Sequence, residues 1–210
     1  MEAPEVVAAF DFDGTLSNRD NFVPFLRRVA GTAPAAAAFV LSAARLGVAG
    51  RSQWSRNQLK ARVLERLFTG RDAREVDAVA LAFADEVLGH HLREDAVQRA
   101  DWHRTQGHRL VIISASLGAY LRPIGERLRF DAVLATELEV GPDGRLTGRM
   151  SGENVRGPEK ARRLDDWIAL ELPGAAPFVW AYGDSSGDKE LWARADRAVR
   201  FGRHAHKGTA

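Results

Sequence analysis

The chain contains no cysteine. That excludes disulfide frameworks, thiolate metal sites and thiolate nucleophiles, and it leaves a cytoplasmic location as the default expectation. An excess of either charge is also lacking: 30 Lys and Arg stand against 28 Asp and Glu, a formal net charge of +2. Nothing in that balance marks a nucleic-acid partner. The densest basic stretch, Arg200 to Lys207 with Arg203, His204 and His206 among small residues, reads as a solvated tail. Long apolar runs are missing too. The nearest is Val29 to Ala44, sixteen uncharged residues interrupted by Gly31 and Pro34, where a spanning helix needs about 20. It is expected to form an apolar helix packed within the protein, with an interfacial membrane contact as the lesser reading. Met1 to Phe10 has no basic segment followed by an apolar one, so no signal peptide is expected.

What is present is the composition of an ordinary folded protein, 45% hydrophobic and 28% charged over 210 residues, enough for one domain or for a core with an insertion. Three short apolar runs end in polar residues. Val6 to Phe10 leads into Asp11-Phe12-Asp13-Gly14-Thr15, Leu110 to Ile113 into Ser114, and Phe178 to Tyr182 into Gly183-Asp184. Each is followed by a helical pattern. Buried strands that alternate with helices and carry polar residues at their C-terminal ends predict an α/β fold, a Rossmann-like three-layer parallel sheet core with its ligand site at those ends.

Between the first two strands lie about a hundred residues with helical periodicity. Leu59, Val63, Leu64, Leu67 and Phe68 mark one helix. Val76, Val79, Phe83, Val87 and Leu92 mark another after an Asp72 N-cap. So long an interval predicts a helical cap, residues 18–92, inserted into a core made of residues 1–17 and 93–210. Further on, a helix is expected over Leu117 to Leu128, a strand over Asp131 to Thr136 and a hairpin around Gly141-Pro142-Asp143-Gly144. Pro158 should open a helix that Pro173-Gly174 ends. His90-His91 reads as a polar helix end, and the five tryptophans as packing residues.

The chemistry gathers at the strand ends. Residues i and i+2 of a strand share a side, so Asp11 and Asp13 face one pocket, and Gly14 lets the chain turn close to a ligand. Paired carboxylates repel unless a cation lies between them, and hard oxygen donors favour Mg²⁺. Asp184 supplies a third carboxylate, and Asp188 points back from the next turn. Ser114 offers a hydroxyl, the backbone N–H groups of Ala115 and Ser116 are expected to open toward the same spot, and Lys160 provides a point charge suited to a phosphate.

The run Phe10-Asp11-Phe12-Asp13-Gly14-Thr15-Leu16 resembles the first motif of the haloacid dehalogenase superfamily. Val111 to Ser114 resembles the second motif, Lys160 the third and Gly183-Asp184-Ser185-Ser186-Gly187-Asp188 the fourth. The insert between the first and second motifs is similar to that of the phosphoserine-phosphatase-like subgroup, a subfamily IB-like arrangement. The resemblance implies a Mg²⁺-dependent phosphomonoester hydrolase. Asp11 would be its nucleophile and Asp13 its general acid and base. Ser114, Ala115 and Lys160 would hold the phosphoryl group, and Mg²⁺ would bind Asp11, the backbone carbonyl of Asp13 and Asp184, with Asp188 nearby.

The same resemblance implies that an acidic residue at Asp20 and a cap arginine at Arg62 would grip an amino-acid leaving group. This chain has Ala115-Ser116 where phosphoserine phosphatases carry two glycines, so a different small or medium phosphomonoester is favoured over phosphoserine. A lipid phosphate is the rival. A phosphotransferase uses the same motifs, a carbon–halogen hydrolase has no need of Asp13, and a non-catalytic phosphate binder has no reason to keep every charged group.

Overall fold

The computed structural model describes residues 5–46 and 53–201. Its elements run β1 (Val6–Phe10), α1 (Phe22–Ala30), α2 (Thr32–Leu46), α3 (Gln53–Phe68), α4 (Ala73–His90), α5 (Glu94–Thr105), β2 (Arg109–Leu117), α6 (Gly118–Arg127) and β3 (Ala132–Thr136). Then follow β4 (Leu138–Val140), β5 (Leu146–Met150), α7 (Pro158–Glu171), β6 (Phe178–Gly183), α8 (Lys189–Arg194) and β7 (Arg197–Arg200). Five strands form one parallel sheet in the order β3-β2-β1-β6-β7.

Both faces of this sheet are covered, so its central strands are apolar throughout and alternate between two layers. Val7, Ala9, Val111, Ile113, Val179 and Ala181 pack with Leu164, Ile168 and Leu191 of α7 and α8. Ala8, Phe10, Leu110, Ile112 and Tyr182 join the larger cluster that holds α1 to α6. The strand order reverses between β1 and β6, and that switch point is where an open α/β sheet leaves a crevice at the strand C-termini. β2 runs past Ser114 with a register shift, pairing Ser114 with Ala135 but Leu117 with Thr136. Ala115 and Ser116 are therefore bulged out of the ladder, and bulges re-aim the chain beside sites.

Helices α1 to α4 occupy the interval between β1 and β2. Where the chain leaves the sheet and where it returns, it pairs with itself: Asn18 N–H donates to the His91 carbonyl at 2.9 Å, and Arg93 N–H to the Leu16 carbonyl at 2.8 Å. The expected N-cap is present, with the Asp72 carboxylate accepting the Arg74 N–H at 2.9 Å. The single apolar helix expected over Val29 to Ala44 is instead broken at Gly31, whose φ of 87° ends α1 before α2 begins. Ala35, Ala38 and Ser42 of α2 are buried while Val40 and Leu41 are exposed, so this stretch is packed on one side only. No described helix is long and apolar enough to cross a membrane. The expected hairpin is present, with β4 pairing antiparallel to β5. It leans on the α3–α4 turn, with Gly70 N–H donating to the Leu146 carbonyl and Leu146 N–H to the Arg71 carbonyl, both at 2.8 Å. The basic stretch expected as a solvated tail from Arg200 begins inside the fold, since Arg200 ends β7, the sheet's edge strand; residues 202–207 lie outside the described residues.

Beneath the sheet face that carries Phe10 and Tyr182 lies a fully buried imidazole, His103. Its Nε2 is 2.7 Å from the Tyr182 hydroxyl and its Nδ1 is 2.7 Å from His108 Nδ1. Burial, with His108 and Arg99 adding to it, pulls His103 down to about 3. The folded protein thus binds fewer protons here than the unfolded chain, whose imidazole titrates near 6.5. This contribution to stability is complete above pH ~6.5 and is lost progressively as pH falls toward ~3. Thermal unfolding measured from pH 7.5 to 4 should therefore show a shallower acid loss in His103→Phe than in the wild type. The variant should also be about 1–3 kcal/mol less stable at neutral pH, because Tyr182 and His108 lose their partner. Parallel pH slopes for the two proteins would contradict this role.

Candidate active site

The motif residues meet in the crevice at the switch point. Asp11 follows the last residue of β1, and its backbone N–H donates to the Tyr182 carbonyl of β6 at 2.8 Å, which fixes it at the sheet's C-terminal edge. The chain then turns through Gly14, with φ of 78°. A side chain there would collide with the Asp184 carboxylate, so glycine is required both by the backbone and by the neighbour. Asp184 follows β6. Ser185 then opens a short 3₁₀ turn in which Asp188 Oδ2 accepts the Ser185 N–H at 3.0 Å.

Lys160 stands in the first turn of α7, where Pro158 suits the helix start. Its ammonium is 2.6 Å from Asp11 Oδ1 and 2.6 Å from Asp188 Oδ1. These three groups are almost wholly buried, at 2%, 6% and 0% exposure for Lys160, Asp11 and Asp188. Burial acts to lower the Lys160 ammonium, but Asp11 and Asp188 together override it and hold it above its ordinary value. Burial raises Asp11 to about 7, with Asp188 and Asp13 pushing the same way against Lys160. Asp184 is also raised, by burial first and then by Asp188.

Oxygens of Asp11, Asp184 and Asp188 lie within 4.8 Å of one another. Three carboxylates face one ammonium here, so an all-oxygen donor set is left with excess negative charge. That is the chemistry of a site for a hard divalent cation, and such a cation would return Asp11 to its ionised, nucleophilic form. Asp13 does not join this cluster through its side chain. Its Oδ1 accepts the Asn21 backbone N–H at 3.0 Å and the Asn21 amide at 2.9 Å, and Oδ2 accepts the Ser116 hydroxyl. Burial, reinforced by Asp20, raises Asp13 to about 6, which suits a group that gives and takes protons near neutral pH.

Ser114 is buried at the end of the regular part of β2 and lines the cavity with Ala115 and Ser116. The Ser116 N–H does not open toward the cavity as expected from the sequence; it donates to Ser114 Oγ at 3.1 Å. Asp20 lines the cavity, its Oδ1 accepting the Phe22 N–H at 2.9 Å. Arg62 is not among the lining residues, and its place is taken by Arg56, Asn57, Leu59 and Lys60. Helical pitch explains the difference, since residues 56, 59 and 60 share one face of α3 and residue 62 is about 200° round from 60.

Sequence reasoning missed Asn21, Lys60 and Asn154. Asn21 follows Asp13 by only eight residues, so proximity to the motif is a usable signal for the first, but nothing local marks the other two. The cavity has a volume of about 530 Å³, with Phe22, Phe39 and Leu59 on its apolar side.

The chain is 35% identical over 191 residues to the protein CicA of Caulobacter vibrioides, spanning 91% of this chain and 83% of that one. It is 30% identical over 111 residues to a phosphoserine phosphatase of Archaeoglobus fulgidus, spanning 52% and 31% of the two chains. A solved structure of a phospho-aspartyl intermediate analogue of phosphoserine phosphatase superposes with a TM-score of 0.64 at 20% identity, covering 94% of this chain and 87% of that one. Residues 8–192 match the haloacid dehalogenase-like hydrolase family, and the chain belongs to it.

Proposed function

We propose that the protein hydrolyses a small organic phosphomonoester with Mg²⁺, through a phosphoryl group carried transiently on Asp11. The observation that carries this reading is the Asp11–Lys160–Asp188 cluster with Asp13 on the same loop, two residues from the nucleophile. Asp11 Oδ attacks phosphorus while the bond to the leaving oxygen breaks, and Asp13 gives that oxygen its proton. Asp13, now ionised, takes a proton from water as the water oxygen attacks the aspartyl phosphate. Inorganic phosphate leaves and Asp11 is restored. Lys160 and the Ser114 hydroxyl hold the phosphoryl oxygens during both displacements. Mg²⁺ bound by Asp11, Asp184 and the backbone carbonyl of Asp13, with Asp188 close by, would neutralise charge on the phosphoryl group.

Residues 18–92 act in this reading as a cap that excludes water and selects the leaving group. The cavity volume falls within the range of small-molecule sites, and its mixed wall of Phe22, Phe39, Asp20 and Arg56 suits a partly apolar leaving group. With Arg62 off the cavity wall, the zwitterion grip expected for phosphoserine loses one of its two arms.

Turnover of a panel of phosphomonoesters with Mg²⁺ tests the class and ranks the leaving groups. Asp11→Asn should lower kcat by about 10³-fold or more with the fold retained. Near-wild-type turnover in that variant would remove the nucleophile from the scheme. Asp13→Asn should lose on the order of 10²–10⁴-fold, and more on alkyl phosphates than on 4-nitrophenyl phosphate, whose leaving group needs little protonation. An equal loss on both would argue against proton donation. Chelation should abolish turnover, Mg²⁺ should restore it, and Asp184→Ala should raise the Mg²⁺ concentration required. Calcium, which takes more ligands at longer distances, should inhibit. Full activity after exhaustive chelation would overturn the metal requirement.

A further inference from the structure

Helix α3 sends Lys60 out of the insertion and into the core. Its ammonium donates to three acceptors on three core segments: the Ala115 carbonyl in the bulge of β2, Asn154 Oδ1 at 2.6 Å ahead of α7, and Thr136 Oγ1 at 3.5 Å at the end of β3. An ammonium has three N–H donors, and charged Lys60 spends two of them at short range and the third at 3.5 Å on groups of the protein, while burial pulls it down to about 7 against the opposing charges of Asp13 and Asp20. One turn earlier on the same face, Asn57 Oδ1 accepts the Asn154 amide at 2.8 Å. The Phe22 ring lies 5.0 Å from the ammonium and helps to shield it.

The Ala115–Ser116 peptide bonds at both ends. Its carbonyl accepts from Lys60, and its N–H donates to Ser114 Oγ at 3.1 Å. A cation on the carbonyl of a peptide polarises the N–H across it, and hydrogen bonds in such a chain strengthen one another in a dry site. Ser114 Oγ, with a lone pair already occupied, is left to direct its own proton at a phosphoryl oxygen. We propose that Lys60 is a positioning residue that, through the Ala115–Ser116 peptide, fixes and polarises the Ser114 hydroxyl, so that Ser114 grips the phosphoryl group fully only while α3 is seated on the core. The proposal rests on the phosphatase reading for its chemistry and adds to it a link between the insertion and the phosphate site. A direct grip on an anionic leaving group is the competing role for a cavity cation, and the donors already spent on the protein speak against it.

A double-mutant cycle separates the two roles. We would measure kcat and KM for 4-nitrophenyl phosphate with Mg²⁺ in the wild type, Lys60→Met, Lys60→Arg, Ser114→Ala and the Lys60→Met/Ser114→Ala pair. Thermal unfolding would check the fold of each variant. Lys60→Met should lower kcat by about 10–30-fold with KM changed less than about 3-fold, and in the Ser114→Ala background it should cost less than about 3-fold. Lys60→Arg should recover most of the loss.

An equal cost in both backgrounds would overturn the proposal. So would unchanged kcat on the aryl phosphate with KM raised only for phosphoserine. If Lys60→Met does not fold, Asn57→Ala weakens the same seat, and its smaller loss should likewise vanish in the Ser114→Ala background. The cycle repeated on inorganic phosphate affinity by calorimetry reads the coupling without turnover. An inactive wild type would therefore defeat the phosphatase reading while the coupling was still decided.

Discussion

The structure is organised around one buried ammonium shared by two carboxylates. Lys160 lies 2.6 Å from both Asp11 and Asp188, and these groups come from the end of β1, the start of α7 and the turn after β6. Such charges are costly to desolvate and hold together only when paired, so loss of one partner typically costs 3–5 kcal/mol. The cluster thereby ties three otherwise separate segments to one point. It also leaves a surplus, because Asp184 adds a third carboxylate within 4.8 Å of the others. A site built with more negative charge than it can neutralise is destabilised alone and is completed by a cation, and the same imbalance would serve the binding of a metal and a phosphate together.

The fold supplies that point by its topology. In the order β3-β2-β1-β6-β7 the chain moves first to one side of β1 and then to the other, so loops after β1 and β6 diverge and leave a crevice between them. The close approach is possible because Gly14 and Gly183 lack side chains where Asp184 and Asp188 lie. Asp188 stands at the N-cap of α8, yet its side chain accepts no N–H of that helix. Its carboxylate is divided between Lys160 and Ser185, so its role is in the site.

The helices between β1 and β2 are fastened to the rest of the chain at several points, among them the α3–α4 turn against the β4–β5 hairpin. Backbone pairing joins Leu16 and Asn18 to Arg93 and His91 where the chain crosses over. On the far side, Asn57 and Lys60 fasten α3 to Asn154 and to the bulge of β2. These helices therefore bear on Ala115 and Asn154 beside the crevice, whereas Lys160 bonds to both Asp11 and Asp188. In the proposed reading, the core charges carry the reaction and the helices between β1 and β2 select what is admitted.

The central strands, the helix starts at Asp72 and Pro158, and the four groups Asp11, Asp13, Asp184 and Lys160 were legible in the amino-acid sequence. Each is marked by a signal within a few residues: an apolar run, a turn-forming glycine, a cap or a proline. Backbone preferences and side-chain periodicity act over that range, so the sequence by itself determined the sheet, its polar edge and the class of chemistry there. It did not determine the break at Gly31 inside an uncharged run, the β7 edge strand beneath a basic stretch, or which cation of α3 enters the cavity. Lys60 rather than Arg62 is chosen by the phase of a helix against a surface whose acceptors, Ala115 and Asn154, lie 55 and 94 residues away. Only tertiary packing decided that, because rotating a helix by a fraction of a turn changes no local preference yet exchanges every long-range partner.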